Sequence, residues 1–108
     1  MLDFFCRLLG LPRRALVIPE GSIIVDVREP AEYAAGHVEG AINVPLSVLA
    51  GQVESLKKQD KVVVTYCRSG IRSAIARQRL LAGGLKTVIN GKTVAVVNRA
   101  LQASPRPD

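Results

Sequence analysis

The apolar residues of this chain are concentrated in short β-branched runs that alternate with segments of helical spacing. Residues 23–27 and 61–66 are near-continuous apolar runs, a pattern typical of strands buried on both faces of a sheet. Shorter runs at residues 41–44 and 87–89 predict two more strands, and Pro45 closes the first of these. Buried strands that alternate with helices indicate an α/β fold with a largely parallel sheet.

Four helices are predicted between and after these strands, and residues typical of helix ends mark their boundaries. They span residues 30–35, 48–58, 74–82 and 94–101. Pro30 begins the first helix, and Ser47 is placed to cap the second with its hydroxyl oxygen. A glycine pair at residues 83–84 ends the third. Asn90-Gly91, between the last strand and the last helix, predicts a turn.

The two ends of the chain differ from its centre. We divide it into an apolar and basic segment over residues 1–14, a domain over residues 15–103 and a tail over residues 104–108 that is expected to be flexible. Phenylalanine and leucine occur at helical spacing in the first segment, so we expect a helix packed on the domain. Because Arg13-Arg14 follow the apolar stripe, docking of residues 2–11 on a membrane or partner is the alternative.

With 108 residues, 48% of them apolar, the chain can bury one core but not two. Residues 1–60 carry a net charge of −2 and residues 61–108 a net charge of +8. So positive a field attracts anions. Nucleic acid is disfavoured as a partner because only four aromatic residues are available for base stacking. A small anionic substrate fits better.

The two cysteines, Cys6 and Cys67, belong to no Cys-x-x-Cys motif or Cys/His cluster, so we expect neither a metal site nor a disulfide framework. Free cysteines are typical of a reducing compartment. Asp3 stands where a signal peptide needs positive charge, and no apolar run reaches the roughly 18 residues of a membrane span. We therefore expect a cytoplasmic protein.

Cys67 lies between a predicted buried strand and a predicted helix, where ligands gather at the carboxyl edge of a parallel sheet. Gly70 lets the short loop turn its backbone N–H groups inward, and the next helix adds its free N–H groups and the positive end of its dipole. Arg68 and Arg72 add two positive charges. These features favour the thiolate over the thiol, so we predict a nucleophile rather than a small core residue.

Three ordered motifs of the chain resemble those of rhodanese-domain sulfurtransferases. Residues 67–73 (Cys-Arg-Ser-Gly-Ile-Arg-Ser) resemble the family's active-site loop, residues 24–29 its opening strand, and Tyr33 with residues 37–45 its second signature. The matches spread over residues 23–90. The resemblance implies a rhodanese-like α/β domain, in which a largely parallel central sheet is flanked by helices on both faces.

The resemblance also implies a chemistry. The Cys67 thiolate would take the outer sulfur of thiosulfate or a similar sulfane donor, carry it as a persulfide and pass it to cyanide or a thiol. The substrate-binding set that it implies is Arg68, Ser69, Gly70, Ile71 and Arg72. Backbone N–H groups of this set would stabilise the persulfide, Arg72 would hold the sulfonate end of the donor, and Arg68 would help at the rim. No metal and no organic cofactor is required.

Loop length separates this chain from relatives with other substrates. Four residues stand between Cys67 and Arg72, whereas related phosphatases and arsenate-handling enzymes have five and enclose a larger oxyanion. We therefore expect a site that fits sulfur rather than phosphate or arsenate. A relay module with a protein sulfur donor or acceptor and little thiosulfate turnover would keep the same loop, and it remains the alternative.

Asp26, Arg28 and Ser73 are predicted to support the site. Asp26 and Arg28 follow the first strand at the edge that carries the loop, where a buried ion pair holding the loops is favoured over direct tuning of the chemistry. Ser69 and Ser73 either cap the following helix or bind the substrate. His37, the single histidine, is assigned to a turn, because an ionised thiolate needs no general base.

The chain departs from the family pattern after its last strand. Most members continue with two glycines and an aromatic residue, whereas this chain has Asn-Gly-Lys-Thr at residues 90–93 and contains no tryptophan. We therefore expect the closing helix to pack differently. The loop of residues 67–73 is unaffected by this difference.

Overall fold

The fold is that of a computed structural model, which describes residues 16–103. The strands are β1 (Ile23–Asp26), β2 (Ile42–Asn43), β3 (Val63–Cys67) and β4 (Val88–Thr93). The helices are α1 (Pro30–Ala35), α2 (Val53–Lys58), α3 (Ile71–Ala82) and α4 (Val94–Ala103), and a 3₁₀ segment (Leu46–Gln52) precedes α2. The predicted N-terminal helix and tail lie outside the described residues. Among residues 16–103, the structure contains no candidate for a membrane-spanning helix.

The four strands form one parallel sheet in the order β2-β1-β3-β4, which confirms the predicted parallel α/β fold. The chain passes from β1 to β2 on one side and then returns to β3 and β4 on the other, so its winding reverses between β1 and β3. Ligands of open parallel sheets bind at such a reversal, beyond the carboxyl ends of the strands. Asp26 of β1 is in register with Tyr66 of β3, so Cys67 extends one residue further into this crevice.

Alternate side chains of the strands pack into two hydrophobic clusters, one on each face of the sheet. The first cluster joins the sheet to α2 and α3 and includes Val25, Val63, Cys67, Leu56, Ala76 and Leu80. The second joins the sheet to α4 and includes Val64, Tyr66, Val97 and Ala100. Helices therefore cover both faces of the sheet, as predicted, and the side chain of Cys67 lies on the face that α3 covers.

The segment after Pro45 differs from the single helix that the sequence predicts. It begins as a 3₁₀ segment and becomes α-helical only at Val53. Pro45 occupies the cap position, no side chain caps the segment, and the Val48 N–H donates to the Pro45 carbonyl at 2.9 Å. This bond spans three residues, as in a 3₁₀ turn. The predicted capping role of Ser47 is wrong, since the cap position belongs to Pro45.

Asn90 and Gly91 do not form the predicted turn. β4 continues through both residues, but Asn90 is in register with Thr65 and Lys92 with Tyr66, so Gly91 is the extra residue of a β-bulge. Lys92 has a φ of 69°, and its N–H donates to the Asn90 side-chain oxygen at 3.0 Å. Asn and Gly are typical of turns, but here they form only a local bulge, because β3 pairs with β4 both before and after them.

The closing helix α4 follows β4 without a connecting loop. The Val96 N–H donates to the Thr93 hydroxyl oxygen at 3.1 Å, which satisfies one of the free N–H groups of the first turn. A Cβ atom on Gly91 would lie 2.6 Å from Cγ2 of Val97, so the bare glycine lets α4 approach the sheet closely. Aliphatic side chains therefore hold the helix against the sheet, with Val97 and Ala100 buried, and the sequence contains no tryptophan that could do so.

Candidate active site

Cys67 is the last residue of β3, and its side chain is fully buried, with 0% of its surface exposed. The chain turns at Gly70, whose φ of 98° favours glycine, and α3 begins at the next residue. This turn brings the Gly70 N–H to 3.0 Å from the Cys67 sulfur. The loop therefore places a backbone donor directly against the buried sulfur.

Ser73 lies in the first turn of α3 and is also fully buried. Its hydroxyl oxygen is 3.6 Å from the Cys67 sulfur. Burial raises the pKa of the Cys67 thiol, but hydrogen bonding with the Ser73 side chain and with the Ser73, Gly70 and Ser69 backbone lowers it by more, so the pKa lies below its ordinary value. The main causes that favour the thiolate are thus hydrogen bonds of the loop, which the sequence analysis predicts together with the helix N-terminus and the arginine charges.

Asn90 joins the loop to β4, a role that the sequence analysis missed. Its side-chain oxygen accepts a hydrogen bond from the Ser73 hydroxyl at 2.7 Å, and its amide nitrogen donates to the Gly70 carbonyl at 3.3 Å. Ser73 therefore has two groups within reach of its single hydroxyl proton, the Asn90 oxygen and the Cys67 sulfur. The only sequence signal at this position is Asn-Gly, which predicts a turn and not a contact with a distant loop.

Of the two roles that the sequence leaves open for Ser69 and Ser73, capping of α3 is wrong for both residues. Gly70 occupies the cap position of α3, and no side chain caps the helix. Ser73 instead points inward, where the packing of α3 on β3 places it against Cys67. Ser69 and Arg68 are exposed, and the Ile71 side chain is 69% exposed. Their roles in substrate binding stay predictions.

Arg72 is paired with Glu32 of α1. Its Nη1 and Nη2 atoms donate to the two carboxylate oxygens at 2.7 and 3.0 Å. The hydrogen bonds from Arg72 are the largest of the causes that lower the pKa of Glu32 to about 2. The sequence does not reveal this role of Glu32, because its position three residues after Glu29 is that of a capping box, which the structure also contains.

The ion pair predicted between Asp26 and Arg28 is present. Asp26 is fully buried, and the Arg28 Nε and Nη2 atoms donate to its oxygens over 2.6 to 3.0 Å. Arg28 Nη2 also donates to the Gly36 carbonyl at 2.7 Å, which ties the end of β1 to the turn after α1. Beside the pair, burial raises the pKa of Tyr66 to about 12, and its hydroxyl accepts the Val38 N–H at 3.0 Å.

His37 lies in the irregular segment between α1 and the turn at residues 39–40. Its ring stacks on Tyr33 with centroids 3.6 Å apart, and its Nδ1 atom is 2.8 Å from the Tyr33 carbonyl oxygen. The Tyr33 hydroxyl donates to the Ala41 carbonyl at 2.6 Å. Over residues 16–103, no group of three or more His, Cys, Asp or Glu side chains is placed to hold a metal ion.

Two curated relatives resemble the sequence over most of the domain. The Bacillus subtilis "Uncharacterized protein YqhL" is 41% identical over 69 residues, which cover 64% of this chain and 54% of the relative. A "Sulfurtransferase" of Allochromatium vinosum is 38% identical over 71 residues, covering 66% of this chain and 65% of the relative. The match therefore spans less than two thirds of the length of either relative.

Solved structures and a family model resemble the chain as well. The structure described as "rhodanese with anions from E. coli" superposes with a TM-score of 0.66 and 29% sequence identity, over 79% of this chain and 95% of that one. A rhodanese-related protein of Thermoplasma volcanium superposes with a TM-score of 0.61 over 80% of this chain and 83% of that one, also at 29% identity. The family model of the rhodanese-like domain matches residues 14–103, so this chain belongs to the rhodanese-like domain family.

Proposed function

We propose that this protein is a sulfurtransferase that carries sulfane sulfur as a persulfide on Cys67. The observation that carries the proposal is the surroundings of the Cys67 sulfur, which has the Gly70 N–H at 3.0 Å and the Ser73 hydroxyl at 3.6 Å. The Gly70 N–H donates to the sulfur, and the Ser73 hydroxyl becomes a second donor when its proton turns from Asn90 to the sulfur; donors in these positions stabilise negative charge on sulfur. Family membership supports the same chemistry, as do relatives named "Sulfurtransferase" and "Putative sulfur carrier protein YrkF".

In the donor half-reaction, the Cys67 thiolate attacks the outer sulfur of thiosulfate or a similar sulfane donor. With thiosulfate, the bond between the two donor sulfurs breaks, sulfite leaves with the electron pair, and Cys67 holds the transferred sulfur as a persulfide anion. Charge and atoms balance without a further oxidant or a proton transfer. The reaction therefore needs the ionised thiol that the loop favours and no general base.

In the acceptor half-reaction, cyanide or a thiolate attacks the outer sulfur of the persulfide. A new bond forms between the acceptor and that sulfur, and the Cys67 thiolate leaves with the electron pair of the old bond. The product is thiocyanate or the persulfide of the acceptor thiol. Residues 61–108, with their net charge of +8, favour the approach of an anionic donor and an anionic acceptor alike.

The mass of the protein after exposure to thiosulfate tests this proposal. We expect the wild-type chain to gain one sulfur atom and to lose it when cyanide is added, with release of thiocyanate. Cys67→Ser should abolish the mass gain while circular dichroism stays unchanged, because the loop is local. Cys6→Ser is the matched control, since it removes the only other cysteine of the sequence and should keep full transfer. Persistent sulfur gain in Cys67→Ser, or none in the wild type, would refute the proposal.

A further inference from the structure

Glu32 binds the guanidinium of Arg72, the group that the family resemblance predicts to bind the sulfur donor. Both terminal nitrogens of Arg72 donate to the Glu32 carboxylate, at 2.7 and 3.0 Å, and this bidentate pair joins α1 to α3. The Arg72 and Glu32 side chains are 34% and 31% exposed, so a solute can reach them. Glu32 also accepts the Glu29 N–H at 3.1 Å, which fixes its carboxylate on α1.

A sulfonate group and a carboxylate compete for the same donors of Arg72, because each presents two oxygens to two parallel N–H groups. Since Arg72 holds the pKa of Glu32 at about 2, this carboxylate remains ionised at neutral pH. A donor with a sulfonate group must therefore displace the ionised Glu32 carboxylate, which belongs to the same chain, before Arg72 can bind that donor. A donor without a sulfonate group needs no such displacement.

We propose that Glu32 is a specificity-determining residue that favours sulfane donors without a sulfonate group, namely persulfides of the form R–S–SH. This inference rests on the persulfide chemistry proposed above. The Cys67 thiolate attacks the outer sulfur of R–S–SH, the S–S bond breaks, and R–S⁻ leaves with its electron pair. The proton stays on the sulfur that Cys67 now carries, so atoms and charge balance. Arg72 stays paired with Glu32 throughout the step.

Glu32→Gln tests the inference, because the amide keeps an oxygen for the Glu29 N–H and removes the charge that holds Arg72. We expect the apparent KM for thiosulfate to fall about three- to tenfold, since a released guanidinium can bind sulfonate in bidentate geometry. The KM for a small alkyl persulfide should change by less than about twofold, since that donor lacks the competing group. Glu32→Asp, which keeps the charge but withdraws the carboxylate from Arg72, should lower the thiosulfate KM in the same direction.

Glu39→Gln is the matched control. It removes the same charge from an exposed residue seven positions further along the chain, and both KM values should stay within about twofold of the wild-type values. The donor step is followed by the gain of sulfur mass in single turnovers, with sulfite release as a second readout for thiosulfate. Circular dichroism establishes that each variant is folded.

Two results would overturn the inference and leave the proposed function intact. One is an unchanged thiosulfate KM in both Glu32 variants. The other is an equal fall for thiosulfate and for the alkyl persulfide, which would mean that Glu32 acts as a general negative charge and not through Arg72. A wild-type protein that gains no sulfur from either donor would instead contradict the persulfide chemistry itself, so the two failures are distinguishable.

Discussion

Replacement of Asp26 by asparagine should destabilise the fold and leave the chemistry of Cys67 intact. Asp26 is fully buried, and its carboxylate is the counter-ion of Arg28, with a shortest contact of 2.6 Å. Arg28 in turn reaches the Gly36 carbonyl, and its guanidinium carbon lies 5.6 Å from the centre of the Tyr66 ring. In Asp26→Asn the Arg28 charge would remain among these groups without its counter-ion. The effect should therefore appear in stability.

The magnitude follows from the burial of the pair. Removal of one partner of a buried ion pair costs about 3–5 kcal/mol, because the other charge stays desolvated. The asparagine amide still offers Arg28 one oxygen, and the Arg28 side chain keeps 11% of its surface exposed, so we expect a cost of about 2–3 kcal/mol. In a domain of this size such a loss lowers Tm by roughly 10–20 °C.

Urea and thermal unfolding measure this cost, and Asp60→Asn is the matched control. Asp60 makes the same kind of contact with Lys86 at 3.6 Å, but the two side chains are 74% and 84% exposed, so the control should lose less than about 1 kcal/mol. Sulfur transfer per folded molecule should be unchanged in Asp26→Asn below its Tm. Equal stability of the two variants would refute the reasoning about burial. Lost activity in a fully folded Asp26→Asn protein would show that Asp26 tunes the site directly.

Two further substitutions test the loop and the bulge. Ser73→Ala removes a hydrogen bond that lowers the pKa of the Cys67 thiol, so this pKa should rise and alkylation of Cys67 by iodoacetamide should slow at neutral pH. The difference should vanish at high pH, where Cys67 is ionised in both proteins. Equal alkylation rates at neutral pH would mean that the backbone donors suffice to ionise Cys67. Gly91→Ala places a Cβ 2.6 Å from Val97 Cγ2 and should cost about 1–3 kcal/mol in urea unfolding, whereas Gly51→Ala, with no atom within 4 Å of its Cβ, serves as the control. Equal stability of the two alanine variants would contradict the close packing at the bulge.

The sheet and its carboxyl edge could be predicted from the sequence because their signals are local. Continuous β-branched runs mark β1 and β3, and the glycines after Ala82 mark the end of α3. Cys67 follows directly from this pattern, since a residue between a buried strand and a helix must lie at the edge where ligands bind. The position of Asp26 at this edge can be predicted in the same way, because Asp26 ends the neighbouring strand β1.

Glu32 and Asn90 could not be predicted in their roles, because each acts on residues far away in the sequence. Glu32 bonds to Arg72 across 40 positions, and Asn90 bonds to Ser73 across 17. Each residue also has a local pattern that explains it fully. Glu32 completes a capping box with Glu29, and Asn90 precedes a glycine as turn residues do. A residue that satisfies a local rule gives no sign of a second, tertiary partner.

The bulge in β4 lets the loop respond to ionisation of Cys67 without an energetic penalty at Asn90. The Asn90 side-chain oxygen accepts from the Ser73 hydroxyl at 2.7 Å and also from the Lys92 N–H at 3.0 Å. When the sulfur becomes negative, the Ser73 proton can turn toward it while Lys92 still satisfies the Asn90 oxygen. A buried acceptor left without any donor would cost about 1–3 kcal/mol, and this second donor avoids that cost. Rotation of the Ser73 hydroxyl then adds a second donor to the Gly70 N–H, which already lies 3.0 Å from the sulfur.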